Sequence, residues 1–597
     1  MTPPATRAAA VVVLLLAACA ATRAEPPPDS FMQLAEVSAG QQGHARTVMK
    51  GRTAQIIPLE ILGVAPSFAG PGRDMILARL LGDTAQRTGV VAGMSGSPVT
   101  IGGRLLGALS LRIGSFTSEP IAGITPIQQM LAIPNTGPQE PAAVSGNGGR
   151  YALERLLDAA RSREPAAGQT SMVLTPVALS GLNARVQEPA LSILREVGLG
   201  PVSTAVAAMG GSGGLRPLRG GDSVAAVLVQ GDMIIAATGT TTLVAGKRVL
   251  AFGHPLTGAG PADYPMARAE VLVTVASLAG SFKMVRIGEV VGAFHQDRSA
   301  GLAGRLGDRA RAIHLDLALQ TDGPGPLQHQ SYDLVRSPVL TPALLEAILG
   351  NAFSSARGGA SRGTLRMKGS IRLDGMRSLD LDHVFAGDAA SPPVAFQAAR
   401  LVATLVRAIM VSPGGLGPDL ALDLEAQLLP QSHIFRLEEV RLLKSRSRPG
   451  DQLDLIARLR DLSSGRTRTE SFSLPVPVLP QGSRLQVLVG DAAAANQADG
   501  FTPVSRIRQA EDLPAVLRIL GSLRSTSGLY CRLTRPSPGL LLGTVPLPDL
   551  PPSVALILGR DRSSSERLPL QESLLSEESR TEPGVVRGAR RLSVEID

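Results

Sequence analysis

The chain has no tryptophan, and aromatic residues make up only 3% of its 597 positions. Its cores must therefore be assembled from Val, Leu, Ile and Ala. Only two cysteines occur, Cys19 and Cys531. Cys19 falls in an N-terminal export segment, so Cys531 has no internal partner in a mature chain, and a disulfide-stapled scaffold is excluded. None of the seven histidines stands in a His-Glu-x-x-His spacing or close to a cysteine. A zinc site is thereby disfavoured, and no metal or cofactor is expected. Long apolar runs are also missing. Val394 to Val411 comes nearest, but it carries Arg400 and Arg407 and reads as an amphipathic, core-packed helix. The formal charge is +9, yet arginines are interleaved with acidic residues and no basic run carries stacking aromatics. Nucleic acid is not an expected partner.

Glycine and proline, by contrast, are abundant, at 65 and 45 residues. Frequent turns favour many short strands and a mainly β protein. The length suits about three to five domains at roughly 100 to 200 residues each. Residues 1–24 read as a secretory signal, with Arg7 ahead of the apolar run Ala8 to Ala18. Leu16-Ala17-Ala18-Cys19 has the form of a lipobox, which makes Cys19 a lipidation candidate. Thr22-Arg23-Ala24 offers an ordinary cleavage site instead. Either reading implies export, to the periplasm or to a membrane-anchored place in a bacterial envelope.

Short apolar runs broken by Gly and Pro predict β structure over Ala45 to Leu131. Residues 135–150 read as a loop. Tyr151 to Arg163, Glu188 to Val197 and Pro342 to Ala356 have helical spacing. A β-meander is predicted over Asp222 to Leu256, with turns at Gln230-Gly231-Asp232 and Ala245-Gly246-Lys247. The resulting domain plan is 30–335, a helical or mixed connector over 336–430, a β-sandwich over 431–495, and an α+β region over 500–597. The polar stretch from Arg560 to Arg591 is expected to be partly disordered.

One segment carries chemistry. In Thr88-Gly89-Val90-Val91-Ala92-Gly93-Met94-Ser95-Gly96-Ser97-Pro98-Val99 a strand enters a tight Gly-Ser turn and a second strand leaves. Gly93 and Gly96 allow the backbone to bend sharply and to approach a substrate closely. The amides of Gly93 and Ser95 could point together as an oxyanion hole. Taken alone, small residues at a β-turn are common. A second segment, Arg248-Val249-Leu250-Ala251-Phe252-Gly253-His254-Pro255-Leu256, ends an apolar strand in a histidine. Such a side chain is fixed by a sheet, and its ordinary pKa near 6.5 suits a general base.

Gly93-Met94-Ser95-Gly96-Ser97-Pro98, with the hairpin after it and Leu106-Gly107-Ala108, resembles the nucleophile segment of SpoIVB-type serine peptidases. It is also similar to the Gly-Asp-Ser-Gly-Gly-Pro segment of chymotrypsin-like enzymes. The Gly253-His254 strand end resembles the histidine segment of the SpoIVB type, as does Gly288 to Gly307 with Gln296-Asp297-Arg298. The resemblance spans roughly residues 40–335. It implies a two-lobed, chymotrypsin-like β-barrel peptidase, with smaller β-rich C-terminal domains and a few helices after it. Ser95 would be the nucleophile, His254 the general base, and a protein or peptide in the cell envelope, or the chain itself, the substrate. Family members carry an Asp shortly before the nucleophile segment. Asp83 is the nearest match, with Asp74 and Asp263 as rivals. Two departures stand out. Ser95 precedes His254, the reverse of the family order, which implies a permuted connection, and no PDZ-like module is evident. The alternative reading is a catalytically inactive scaffold of the same build.

Overall fold

A computed structural model describes residues 30–114, 117–137, 176–184, 187–201, 216–321, 326–356, 363–387, 393–444, 446–479, 483–499 and, with short gaps, 507–596. The helix expected over Tyr151 to Arg163, the signal segment and Cys19 lie outside these residues. The protein is mainly β.

β1 (Gln42–Val48), β2 (Ala54–Ala65), β3 (Met75–Leu80), β4 (Pro98–Ile101), β5 (Arg104–Arg112) and β6 (Ile121–Pro126) close into a barrel in the order β1-β2-β3-β6-β5-β4. Each pairing is antiparallel. The period-two pattern of a half-buried strand decides which side chains enter it. On β3, Ile76, Ala78 and Leu80 fill the core, while Arg79 turns outward to Glu60 and Glu119. Between β3 and β4 run the short helix α1 (Asp83–Thr88) and the Ser95 turn, and α2 (Ile127–Leu131) follows β6.

β7 (Pro176–Ser180), α3 (Gln187–Glu196) and β8 (Gly200–Pro201) lead into the predicted meander. It forms as β9 (Ser223–Gly231), β10 (Ile234–Ala245) and β11 (Arg248–Ala251), continued by β12 (Gly260–Val275), β13 (Phe282–Arg298) and β14 (Gly301–Leu306). Their pairings run β9-β10-β11-β14-β13-β12 and return to β9, all antiparallel. These six strands therefore make a second closed ring. In both rings the order is first, second, third, sixth, fifth, fourth, so the two lobes share one connectivity.

The second ring does not end the sheet. β10 continues to β7 and β8. β9 continues to β16 (Gln328–Val335), β15 (Ala312–Thr321), β19 (Leu420–Leu429), β17 (Gly363–Leu373) and β18 (Leu379–Gly387). The stretch 336–430, expected as a connector, is thus built into this sheet. Its helices α4 (Leu340–Ala356) and α5 (Val394–Met410) share the sheet's core through Leu344, Ile348, Val402 and Val406. Arg400 of α5 turns outward to Glu346 at 2.9 Å, as an amphipathic core helix requires. No helix among the described residues is long and apolar enough to cross a membrane.

The C-terminal strands make two sheets over one core. β20 (Ile434–Leu442), β22 (Gln452–Asp461), β23 (Thr467–Pro475) and β28 (Val585–Arg587) form one sheet in the order β23-β22-β20-β28, while the short β21 (Arg446–Ser447) and β26 (Val545–Leu547) lie at the two ends of the other. The fourth strand of the expected sandwich, β24 (Arg484–Gly490), instead joins the facing sheet, between β25 (Gly528–Leu542) and β29 (Ala589–Ile596). Leu455, Phe472, Val487, Leu533 and Val594 share the core, which joins 431–495 to the C-terminal region. The described residues of the polar end form β27 (Arg567–Thr581), β28 and β29. On β29, Val594 and Ile596 are buried while Arg591 turns outward to Glu572, so alternation carries a charged sequence into a sheet.

The two rings meet across two apolar patches. Ala108, Ile127, Met130 and Ile133 of the first lobe pack with Leu250, Ala300 and Ala303 of the second. Val48 packs with Ala225, Val227, Val271 and Val285.

Candidate active site

The Ser95 turn is held from both sides. Met94 is buried in the first barrel and anchors the turn from within. Gly93 and Gly96 have φ of +97° and +92°, which side-chain-bearing residues rarely adopt, so the bend depends on glycine there. The Gly96 amide donates to Leu109 O at 2.7 Å, and the Ser97 amide and hydroxyl both donate to Met94 O. Ser97 is thus a structural member of the turn. The remaining carbonyls are taken by the second lobe. Thr240 N donates to Ser95 O at 2.8 Å, Thr240 Oγ1 to Gly93 O at 3.0 Å, and Thr242 Oγ1 to Gly96 O at 2.7 Å.

His254 approaches from the end of β11. The preceding Phe252 holds φ +69°, an uncommon conformation for a bulky residue and a form of strain that gathers at functional sites. Gly253 O accepts from Thr125 Oγ1 of β6 at 2.7 Å. His254 Nδ1 lies 2.8 Å from Pro255 O. A carbonyl can only accept, so Nδ1 carries the proton and Nε2 is the basic nitrogen.

These two segments touch. A Cβ on Gly96 would lie 2.0 Å from Thr240 O and 2.5 Å from Phe252 N. A Cβ on Gly253 would lie 3.2 Å from Leu109 O, the acceptor of the Gly96 amide. Gly96→Ala therefore forces the lobes apart. We expect a loss of about 3 kcal/mol or more, read as a drop in the midpoint of the first thermal transition with a longer-lived two-lobe opening by hydrogen exchange.

Ser95 and His254 are 1% and 3% exposed. Ser95 Oγ makes no hydrogen bond among the described residues. Nor do the Gly93 and Ser95 amides, which belong to no strand or helix and donate to no described acceptor.

The carboxylates expected from sequence fall elsewhere. Asp83 is exposed at the first position of α1. Asp74 accepts from the Ser67 amide at 2.8 Å and closes the loop between β2 and β3. Asp263 accepts from the Arg311 amide and lies 3.7 Å from His295 Nδ1, on a different histidine. None of the three hydrogen-bonds His254 among the described residues.

The carboxylate beside the His254 loop is Asp297, which the sequence places in the family-like Gln296-Asp297-Arg298 segment without marking a role for it. It is wholly buried and accepts from Leu256 N at 2.9 Å, Thr257 N at 2.7 Å, Thr257 Oγ1 at 2.7 Å and Gly258 N at 3.0 Å. Burial pushes its carboxyl above the ordinary range, against the pull of those donors. It pins the loop that begins two residues after His254. Lys283 is likewise unmarked in the sequence. It is buried at the start of β13, with its Nζ 3.1 Å from Gly93 O.

The described residues hold no cluster of His, Cys, Asp or Glu suited to a metal ion. No family model matches this chain, and neither does any curated protein or solved structure.

Proposed function

We propose that the protein is an exported serine endopeptidase of the bacterial cell envelope, acting on a protein or peptide substrate or on itself. The observation that supports this best is the contact between the Ser95 turn of one barrel and the His254 strand end of the other, beside two backbone amides with no acceptor among the described residues. In this reading His254 Nε2 takes the Ser95 hydroxyl proton as Oγ attacks a peptide carbonyl. The Gly93 and Ser95 amides hold the oxyanion. Collapse breaks the C–N bond, and the amine leaves with the proton from the imidazolium. Water then repeats the sequence on the acyl-enzyme, restoring both side chains. Asp297 acts on the histidine through the loop it holds. The resemblance to SpoIVB-type peptidases supports the same roles, and the apolar run before Cys19 supports export, with a lipid anchor as one outcome of processing.

One observation favours the second reading, a non-catalytic envelope scaffold. Ser95 and His254 are both buried, so a peptide reaches them only after the cleft opens. Incubation with a fluorophosphonate probe separates the two. A single adduct in the intact mass of the folded protein is the expected result. No adduct on folded protein supports the scaffold.

A further inference from the structure

Lys283 is a buried amine. It is 4% exposed, and among the described residues it forms no ion pair. Its Nζ donates to Thr47 Oγ1 of β1 at 2.8 Å and to Gly93 O at 3.1 Å. Burial alone pushes its amine down to about 7. An unpaired buried amine is costly, and such groups persist where they serve something other than stability.

What it touches is the turn. Gly93 O is shared between Lys283 Nζ and Thr240 Oγ1, and the two threonine hydroxyls lie 3.5 Å apart. The backbone around Lys283 docks on the same segment. Ala92 N donates to Ser281 O at 2.8 Å, and Lys283 N donates to Ala92 O at 3.1 Å. Gly93 O belongs to the peptide that lies between the Gly93 and Ser95 amides. Glycine permits that peptide to rotate; its N–H is tied within the first lobe, where Met94 N donates to Val91 O at 3.0 Å, so what the second lobe can set is the hold on its oxygen. Two donors, both from the second lobe, hold it here.

We propose that Lys283 is a positioning residue that locks the Gly93–Met94 peptide, so that the Gly93 and Ser95 amides converge on one point as the oxyanion site. This rests on the hydrolase reading. It also means that the oxyanion site is completed only when β13 of the second lobe is docked on the first.

The test is the kinetics of fluorophosphonate labelling in wild type and Lys283→Met, following both rate constant and end-point. In this reaction Ser95 Oγ bonds to phosphorus, fluoride leaves, and His254 takes the proton. The phosphoryl oxygen draws on the same amides. Lys283→Met is expected to lower the rate constant about 10- to 100-fold, with an undiminished end-point. The folded protein should keep or raise its thermal midpoint, because an unpaired buried amine is gone. A purely structural lysine would instead reduce the end-point and leave the rate constant of the folded fraction unchanged, which overturns the proposal. Thr240→Val, which removes the other side-chain donor to Gly93 O without touching the charge, should also lower the rate constant. It decides the matter if Lys283→Met does not fold, and an unchanged rate constant there overturns the proposal. Absence of labelling in wild type defeats the hydrolase reading, and this inference with it. Labelling at equal rates in wild type and both variants defeats the inference alone.

Discussion

Ser95→Ala is expected to abolish fluorophosphonate labelling, and His254→Ala to slow it by about 10³-fold or more. The first effect is total because the bond to phosphorus forms on Oγ, and alanine has none. Ser97 and Ser110 are the nearest other serines in sequence, and both hydroxyls are committed. Ser97 Oγ donates to Met94 O at 2.5 Å, and Ser110 Oγ lies 2.9 Å from Thr125 Oγ1. The second effect follows from the weakness of a neutral hydroxyl as a nucleophile. With Nδ1 protonated toward Pro255 O, Nε2 keeps a lone pair, which in the proposed mechanism accepts the serine proton. Alanine at 254 leaves only water for that task. Neither substitution leaves a buried charge behind, so both proteins should fold, with thermal midpoints near wild type. If His254→Ala labels as fast as wild type, another group is the base, and the pairing of Ser95 with His254 fails.

Asp297→Ala is expected to cost both stability and rate, each measurably more than any other carboxylate change near the lobe interface. Removing the carboxylate leaves the Leu256, Thr257 and Gly258 amides without their acceptor in a buried loop. Each unsatisfied donor costs about 1 to 3 kcal/mol before relaxation, so the thermal midpoint of the two-lobe region should fall by several degrees. The rate constant for labelling should fall about 100-fold, because a displacement near 1 Å in a catalytic group is enough for that. Asp74→Ala and Asp83→Ala are the controls. Asp74 serves a surface loop through Ser67 and Asp83 is exposed, so both variants should label within about twofold of wild type, as surface substitutions generally behave. A 100-fold loss in Asp83→Ala with no change in Asp297→Ala would return the role to the residue nearest in sequence.

The parts of this site legible in the sequence are those whose signals are local. Gly93 and Gly96 announce a bend that only glycine makes easily, and their φ values of +97° and +92° are that bend. The meander was legible because β9, β10 and β11 are short apolar runs separated by Gly231 and Gly246. Asp297 was not legible, because its partners are amides 39 to 41 residues upstream, and a backbone amide has no sequence signature. Lys283 reads as an ordinary polar residue in a strand. Its meaning comes from Thr47 and Gly93, 236 and 190 residues away. The same limit explains the C-terminal region. Glu572, Glu577 and Arg580 make the stretch from Arg560 to Arg591 look partly disordered, yet Leu575 and Val586 within it pack on a core shared with residues more than a hundred positions earlier. The place of the stretch 336–430 in the second ring's sheet is hidden for the opposite reason. Its helices were plain, but the strands that tie it to the second ring pair with β15, outside the expected boundary.

Tandem mass mapping of the phosphonate adduct reaches the central matter most directly. Trypsin should release the modified peptide Thr88–Arg104 from labelled wild type, with the added mass on Ser95. The same peptide should be unmodified in His254→Ala after an equal brief exposure. An adduct on any other serine, or a folded protein that takes up no phosphonate at all, would contradict the view that one lobe supplies the nucleophile and the other its base.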